Sequence, residues 1–441
     1  MLAELIILTG IAAPSPAATP PQVSPAAGQQ VATGARASER SAVPLHQFLA
    51  DHNWLALEAA LDGTSDPDAN FYRGILDDRL GRYQESIDLL LPLIPQFMSG
   101  DDPLREKQGR LALANDYFRT FRYKDAADQY TAIERCCANL MSANERSENE
   151  DAMRLLPLLA HAPPQTLHVE SDFSVPIERD ALGLLDVSVW VDGYAARWLF
   201  DPAASFTMLS HSQAKLVGLR LSEGTITLTN ITGKPIIVHA TVIPQLKLGA
   251  ALFRNVPAVV YEDADLFNAD RQYQIEGVLA QPLLAALGQI TISDDDHLSV
   301  SQETSLKEGA PFFSDGQRLI VSGSDGSGQL YALDPGSRGS QLTSRYYDAH
   351  ASAFAQCPMK LVKMQGADGA MVLPICSADE VTVAFGRTEV TFHEIPVLAQ
   401  PAGAEVDRFW GTLRADALEQ LASYTFDFRS MRFLAKTHPE R

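Results

Sequence analysis

The sequence lacks a continuous apolar run of the about 18 residues that a membrane-spanning helix needs. It has only four cysteines in 441 residues, which excludes a fold built on a disulfide framework. Basic residues are also few. There are 35 lysines and arginines against 55 aspartates and glutamates, and the formal net charge is −20. Because so acidic a surface repels phosphate backbones and anionic lipid, nucleic-acid binding is disfavoured.

Motifs that identify several common enzyme classes are missing as well. The sequence has no glycine-rich loop to cradle a phosphate and no Cys-x-x-Cys pair, and Ser210-His211 lacks the Gly-x-Ser-x-Gly turn of serine hydrolases. The acidic run at 294–297 lies between two β-like segments without a further ligand at useful spacing, which favours a hairpin turn over a cation site. We therefore expect no cofactor and no metal.

The N-terminal segment, positions 1–42, differs in composition from the rest of the chain. Residues 5–13 are apolar, and residues 14–27 are rich in proline and alanine. This order resembles an export signal, although Glu4 stands where a basic residue is expected. A plain disordered leader is the alternative. We interpret residues 1–42 as a signal-like leader and flexible linker, and expect a periplasmic or extracellular protein.

Residues 43–160 have a helical pattern that contains two similar turns. Each turn precedes a tyrosine, Tyr83 in one case and Tyr123 in the other, and small residues follow. This resembles tetratricopeptide repeats, in which small residues let two helices pack closely. The region is predicted to be either a cap that stabilises its neighbour or a groove for a peptide or protein partner.

From about Leu167 onward, short runs of valine, isoleucine, threonine and phenylalanine alternate with turn residues, which predicts β-structure. Landmarks in these runs recur at a nearly constant offset. The matching pairs are Asp201 and Asp334, Gly277 and Gly411, and Thr291 and Thr425, and almost the same length of chain separates the members of each pair. The recurrence predicts an internal duplication, with one copy at 167–305 and the other at 306–436.

The order of landmarks within each copy resembles the aspartic proteases of the pepsin and retropepsin type. In that family each lobe carries an Asp-Thr/Ser-Gly loop after a strand, and a strand of two hydrophobic residues and glycine lies behind the loop. The resemblance implies that Asp201 and Asp334 form a catalytic pair. The predicted fold class is multidomain α + β, with helical-repeat hairpins followed by a mostly-β, two-lobed aspartic-protease-like domain.

Two carboxyl groups suit this chemistry because peptide hydrolysis needs both a base and an acid. Two carboxyls close together cannot both ionise cheaply, so the pair shares one proton. The ionised member takes a proton from water while the protonated member polarises the scissile carbonyl. The predicted activity is therefore that of an aspartic endopeptidase.

Both loops depart from the family pattern. Pro202 and Pro335 replace the threonine or serine that follows each aspartate, and proline offers neither a hydroxyl nor an N–H group. Ala203 replaces the next glycine in the first loop, whereas Gly336 is retained in the second. Two alternatives stay open: a peptidase with a looser loop, or a catalytically inactive module that binds a peptide or protein.

Other residues are assigned roles by their place in this pattern. Polar hairpin tips would cover an extended substrate chain. The candidate flap residues are Ile231, Thr232 and Gly233 in the first copy and Gln365, Gly366 and Gly369 in the second. The residues expected to support the loops are Ala203, Ala204, Gly336, Ser337, Gly277 and Gly411.

The four cysteines form two groups. Cys357 and Cys376 could pair in an exported protein or stay as two buried thiols. Cys136 and Cys137 are adjacent, and we expect them not to bridge, since the geometry strains the peptide between them.

Overall fold

The computed structural model describes residues 44–229, 235–269, 271–302, 305–315, 318–323, 329–366, 369–402 and 404–439. The helices are α1 (Leu45–Ala50), α2 (Trp54–Leu61), α3 (Ala69–Arg79), α4 (Tyr83–Leu90), α5 (Ile94–Ser99), α6 (Pro103–Arg119), α7 (Tyr123–Cys137), α8 (Ala143–Leu155), α9 (His211–Val217), α10 (Gln281–Leu287), α11 (Ser344–Ala349), α12 (Ala351–Phe354), α13 (Ala404–Asp407) and α14 (Ala415–Leu418). Among the described residues, no helix is both long and apolar enough to cross a membrane.

Strands dominate from Thr166 onward, which confirms the predicted change from a helical to a mostly-β region. The strands are β1 (Thr166–Val169), β2 (Phe173–Arg179), β3 (Leu185–Val191), β4 (Tyr194–Phe200), β5 (Thr207–Ser210), β6 (Ile226–Thr229), β7 (Pro235–Leu248), β8 (Ala251–Tyr261), β9 (Phe267–Asn268), β10 (Tyr273–Gln274), β11 (Gly277–Leu279), β12 (Gln289–Ser293), β13 (His297–Ser301), β14 (Ala310–Asp315), β15 (Arg318–Ser322), β16 (Leu330–Asp334), β17 (Gln341–Leu342), β18 (Lys360–Gly366), β19 (Gly369–Phe385), β20 (Thr388–Leu398), β21 (Gly411–Arg414), β22 (Ser423–Asp427) and β23 (Arg432–Lys436).

Two helix pairs, α3–α4 and α6–α7, form the centre of the helical region. Tyr83 begins α4 and Tyr123 begins α7, so each turn tyrosine starts the second helix of its pair. The first turn passes through Gly81 at a φ of 70°, a conformation that glycine adopts without a Cβ penalty. Gly74 lets α3 lie close to α4, because a Cβ there would come within 3.0 Å of Leu90. The resemblance to tetratricopeptide repeats stays a prediction.

Two carboxyl groups are buried where these helix pairs meet, Asp78 on α3 and Asp116 on α6. The hydroxyl of Ser86 donates to Asp116 at 2.7 Å, and the amide of Asn115 donates to Asp78 at 2.5 Å. Burial raises the pKa of Asp116, and the charge of Asp78 raises it further. Asp116 therefore keeps its proton at neutral pH.

Replacing Asp116 by asparagine should remove one source of pH-dependent stability. Above about pH 4 the unfolded protein releases the proton of Asp116, whereas the folded protein keeps it. Because the folded state then binds more protons than the unfolded state, the contribution of Asp116 to the free energy of unfolding falls as the pH rises. The slope it contributes between pH 5 and 8 is up to about 1.4 kcal/mol per pH unit. Urea unfolding at several pH values measures it, and the exposed Asp88→Asn is the matched control. Equal slopes for wild type and Asp116→Asn would contradict the prediction.

The two halves of the β region share a set of strand pairings around the strand that leads to each aspartate. In residues 166–301, β4 is parallel to β11, β5 is antiparallel to β11 and parallel to β8, and β7 pairs with both β6 and β8. In residues 310–436, β16 is parallel to β21, β17 is antiparallel to β21 and parallel to β20, and β19 pairs with both β18 and β20. The strand that leads to each aspartate is thus paired with a strand from the far end of the same half.

A six-stranded antiparallel sheet joins the halves, in the order β2-β13-β12-β22-β23-β14. At its centre β12 of the first half pairs with β22 of the second. Thr291 lies opposite Thr425, and their hydroxyl oxygens are 2.8 Å apart. Two residues that match each other in the sequence are therefore direct neighbours across the junction.

The helical region contacts both halves of the β region. The ring of Phe118 lies 4.7 Å from that of Phe206 in the first half, and His52 binds Asp315 of the second half at 2.6 Å. One apolar core runs through all three parts. The helices are thus packed as part of the same folded body.

The structure joins the cysteines in two disulfides. Cys357 is bonded to Cys376, one of the two alternatives left open. Cys136 is bonded to Cys137, so the expectation that adjacent cysteines do not bridge is wrong here. The physical reason lies in the backbone, because Cys137 leaves the helical conformation at the end of α7, with φ −137° and ψ 14°, and this allows the two sulfurs to meet.

Candidate active site

Asp201 lies directly after β4 and is only 1% exposed. Its N–H donates to the carbonyl of Leu279 on β11 at 3.1 Å, which anchors the loop to the neighbouring strand. Its Oδ1 accepts from the N–H groups of Ala203 at 2.9 Å and Ala204 at 3.2 Å. Two amides of the loop therefore stabilise negative charge on this carboxyl without a hydroxyl at position 202.

Asp334 ends β16 and is held differently. Its Oδ2 accepts from the hydroxyl of Ser337, and Nε of Arg414 lies 3.4 Å from the same oxygen. The Arg414 side chain is only 5% exposed. It donates to the carbonyl of Gly339 at 2.6 Å, and the Arg414 backbone N–H donates to the hydroxyl of Ser340 at 2.8 Å. A hydroxyl and a buried cation thus support this loop.

The two loops face each other. A Cβ built on Gly336 would lie less than 3.0 Å from three atoms of the Asp201 carboxyl group, closer than real Cβ atoms come to any neighbour. Gly336 belongs to the loop that begins with Asp334. The carboxyl of Asp201 therefore packs against the loop of Asp334, and only a residue without a side chain fits at position 336.

Replacing Gly336 by alanine should displace the Asp201 carboxyl group. If this carboxyl acts in catalysis, the reaction rate should fall by about 10²-fold, since a shift of about 1 Å costs about that factor. Gly323→Ala is the matched control, because its Cβ would meet neighbours at an ordinary 3.5 Å. Assay of both purified variants measures the ratio, and equal rates would contradict the close contact.

Arg414 is a site residue that the sequence did not reveal. It is opposite Asp334 in the parallel pairing of β16 with β21. The equivalent position beside Asp201 is Ala280, which follows Leu279 on β11. Because the matching position in the first half is alanine, comparison of the two halves does not mark Arg414 as a site residue. Arg414 is also far from Asp334 along the chain, so the sequence does not indicate their contact.

The remaining predicted site residues are the glycines of β11 and β21 and the candidate flap residues. Gly277 and Gly411 begin β11 and β21, where a Cβ would come within 3.0 Å of Trp198 or of Leu342 respectively, so they act through strand packing. Ile231, Thr232 and Gly233 lie outside the described residues. Gln365, Gly366 and Gly369 lie at the end of the β18–β19 hairpin, with Gly366 opposite Gly369.

Within the described residues one group, Glu106, Cys136 and Cys137, has ligand atoms close enough for a metal ion. It lies in the helical region. The two sulfurs are bonded to each other, and Glu106 forms an ion pair with Arg110 at 2.8 Å. These contacts give no reason to assign a metal to it.

Comparison with known proteins agrees with the geometry of the first loop. Residues 187–283 match the family described as aspartyl protease. This part of the chain is aspartic protease-like. The matched segment runs from β3 into α10 and contains Asp201. No protein with a curated function matches the sequence.

Many solved structures are similar to parts of the chain, among them the following three. A retropepsin-like aspartic protease from Rickettsia conorii is 18% identical over 31% of this chain and 92% of its own, with a TM-score of 0.21. Basic 7S globulin from soybean is 14% identical over 62% and 97%, with a TM-score of 0.36. Conglutin gamma, a basic 7S globulin from lupine seeds, is 12% identical over 61% and 95%, also at 0.36.

Proposed function

We propose that the protein is an aspartic-type endopeptidase in which Asp201 and Asp334 share a proton. The observation that carries this proposal is the contact of the Asp201 carboxyl with Gly336, in the loop that begins at Asp334. The aspartyl protease match over residues 187–283 supports it. The substrate would be a peptide or protein chain, bound in an extended form.

The surroundings of the two carboxyls suggest a role for each. The cation of Arg414 stabilises the ionised form of Asp334, which makes Asp334 the base that takes a proton from water. Asp201, whose Oδ1 accepts from neutral amides, then carries the proton and donates it to the carbonyl oxygen as water adds to the carbonyl carbon. In the collapse of this intermediate, Asp334 passes the proton it took from water to the leaving nitrogen and the C–N bond breaks. Asp201 recovers its proton from a hydroxyl of the intermediate as the carbonyl re-forms.

The equivalence of the two halves is part of this proposal. The shared strand pairing and the Thr291–Thr425 contact support an internal duplication with an approximate two-fold axis between the aspartates. Export to the periplasm or the extracellular space, and a partner groove on the helical repeats, are proposals that rest on the sequence alone.

Arg414 also favours a second candidate function. The cation of Arg414 balances the negative charge of Asp334, a role that the shared proton would otherwise have. In addition, neither loop has the hydroxyl that follows the aspartate in the family pattern. A pair stabilised without its proton could bind a peptide without cutting it. The alternative is therefore a catalytically inactive peptide- or protein-binding module.

Incubation of the full chain with a peptide library between pH 3 and 8 separates the two functions. A peptidase yields internal fragments by mass spectrometry, and a peptide with a hydroxyl-bearing tetrahedral carbon at the scissile position blocks them, since it mimics the transition state. Peptides that bind without being cut at any pH would reject the peptidase and support the binding module.

A further inference from the structure

Gln281 lies at the junction of three parts of the molecule. It is the first residue of α10 and is 3% exposed. Its N–H donates to the carbonyl of Ala204 in the Asp201 loop at 2.9 Å. Its side-chain oxygen accepts from Arg119 of α6 at 2.5 Å, and its side-chain nitrogen donates to Ser314 of β14 at 3.2 Å. One residue therefore connects the first loop, the helical region and the second half.

The contacts of Arg119 with neighbouring side chains place its guanidinium at this junction. It is the last residue of α6, and its guanidinium stacks over the ring of Phe118 at 5.5 Å, while Phe118 in turn contacts Phe206. Among the described residues, its Nε and one terminal nitrogen are buried without a hydrogen-bond partner. The bond to Gln281 is thus the contact that fixes this cation.

The Asp201 loop has few hydrogen-bonding groups of its own, so hydrogen bonds from residues outside the loop matter for its position. Pro202 provides neither a hydroxyl nor an N–H group, so the loop is held by the amides of Ala203 and Ala204 on Oδ1 and by the bond from Gln281 to Ala204. The second loop has the equivalent backbone bond, from the N–H of Ala415 to the carbonyl of Ser337 at 2.9 Å. It also has the Arg414 side chain, whereas the equivalent position beside Asp201 is Ala280. The two loops therefore differ in the side chains that support them.

We propose that Gln281 and Arg119 are positioning residues for Asp201, so that the helical region is a working part of the candidate active site. Arg119 and Ser314 hold the Gln281 side chain, and this anchors the backbone N–H of Gln281 against the carbonyl of Ala204. The N–H of Ala204 in turn binds the Asp201 carboxyl. The expected effect on catalysis rests on the proposed function, but the expected effect on the position of the Asp201 loop does not.

The kinetic test compares Arg119→Met, Gln281→Leu and the double variant with wild type. We expect kcat to fall about 10-fold or more in each single variant, with KM within about threefold, because the loop positions the reacting group. The double variant should be no slower than Gln281→Leu alone, since both act through one contact. Gln281→Glu, which keeps the acceptor for Arg119, should retain most of kcat.

Arg122→Met is the matched control, because Arg122 packs on Tyr117 in the same region and pairs with Asp125 near the surface. The kcat of Arg122→Met should stay within about twofold of the wild-type value. An unchanged kcat in Arg119→Met, additive losses in the double variant, or an equal loss in Arg122→Met would overturn the inference.

A second readout separates failure of this inference from failure of the proposed function. If wild type cuts no peptide, the peptidase proposal fails and the kinetic test does not apply. Hydrogen exchange at the amides of Ala203 and Ala204 then decides the positioning role. About 10-fold faster exchange in Arg119→Met than in Arg122→Met supports it, and equal exchange rejects it.

Discussion

Peptide cleavage should fall by about 10³-fold or more when either Asp201 or Asp334 is replaced by asparagine. Asparagine keeps the size of the side chain and an oxygen that can accept from Ala203 and Ala204, but it can neither take nor give a proton. Since the two carboxyls work as one unit, the double variant should be about as slow as each single one. Rates with a defined peptide, measured at the pH of maximal activity, check this.

The control for this experiment is Asp192→Asn in the exposed turn between β3 and β4. Asp192 has a φ of 46°, a conformation that asparagine tolerates as well as aspartate does. Both its activity and its melting temperature should match those of wild type. If Asp334→Asn kept full activity while Asp201→Asn lost it, Asp334 would be only the structural partner of Arg414.

The two candidate aspartates could be proposed from the sequence because their surroundings recur in it. The Asp-Pro turns follow β4 and β16, which have matching strand pairings, and the repeated landmarks predict that the two aspartates form an equivalent pair. The change from helices to strands near Thr166 also follows from composition, because β-branched residues and turn residues become frequent there.

Contacts that exist in only one copy could not be predicted in this way. Arg414 meets Asp334 only through the register of β16 and β21, and Gln281 meets Arg119 only because the helical region packs against the first half. Neither residue lies in a recognisable motif. The bond between Cys136 and Cys137 depends on a local backbone conformation that residue types alone do not specify.

The largest expected loss of stability follows from replacing Asp315 by asparagine. Asp315 ends β14 with a side chain that is 6% exposed, and a histidine and two arginines surround it. Nδ1 of His52 lies at 2.6 Å, Nε of Arg79 at 3.3 Å and a terminal nitrogen of Arg408 at 3.8 Å. His52 and Arg79 come from the helical region and Arg408 from the second half, so a single carboxylate binds the two regions together.

Removing this charge leaves both arginines beside a neutral group in a poorly solvated junction, where Arg79 keeps its ion pair with Asp78. The loss of one partner of a buried ion pair costs about 3–5 kcal/mol, so the free energy of unfolding should fall by about that amount at neutral pH. Chemical unfolding followed by tryptophan fluorescence suits the measurement, because the ring of Trp54 lies 5.3 Å from that of His52.

The charges around Asp315 also make the free energy of unfolding depend on pH. Burial alone would raise the pKa of Asp315, but the charge of Arg79, with His52 and Arg408, outweighs it and holds the pKa well below its usual range. The stabilisation is therefore fully present above about pH 4, where an unfolded aspartate is ionised, and is lost progressively as pH falls below that value. Wild type should lose stability on acidification in this range, and Asp315→Asn should lack that component.

Asp128→Asn is the matched control for the stability measurement. Asp128 pairs with Lys124 at 2.8 Å, but both side chains are more than half exposed, so solvent screens the pair and it should contribute little to stability. Each variant removes one negative charge and so has the same net charge as the other. The two differ in the burial of the carboxylate that is removed and in the number of its cationic partners. If Asp315→Asn were as stable as Asp128→Asn at neutral pH, the cluster would not hold the helical region to the second half.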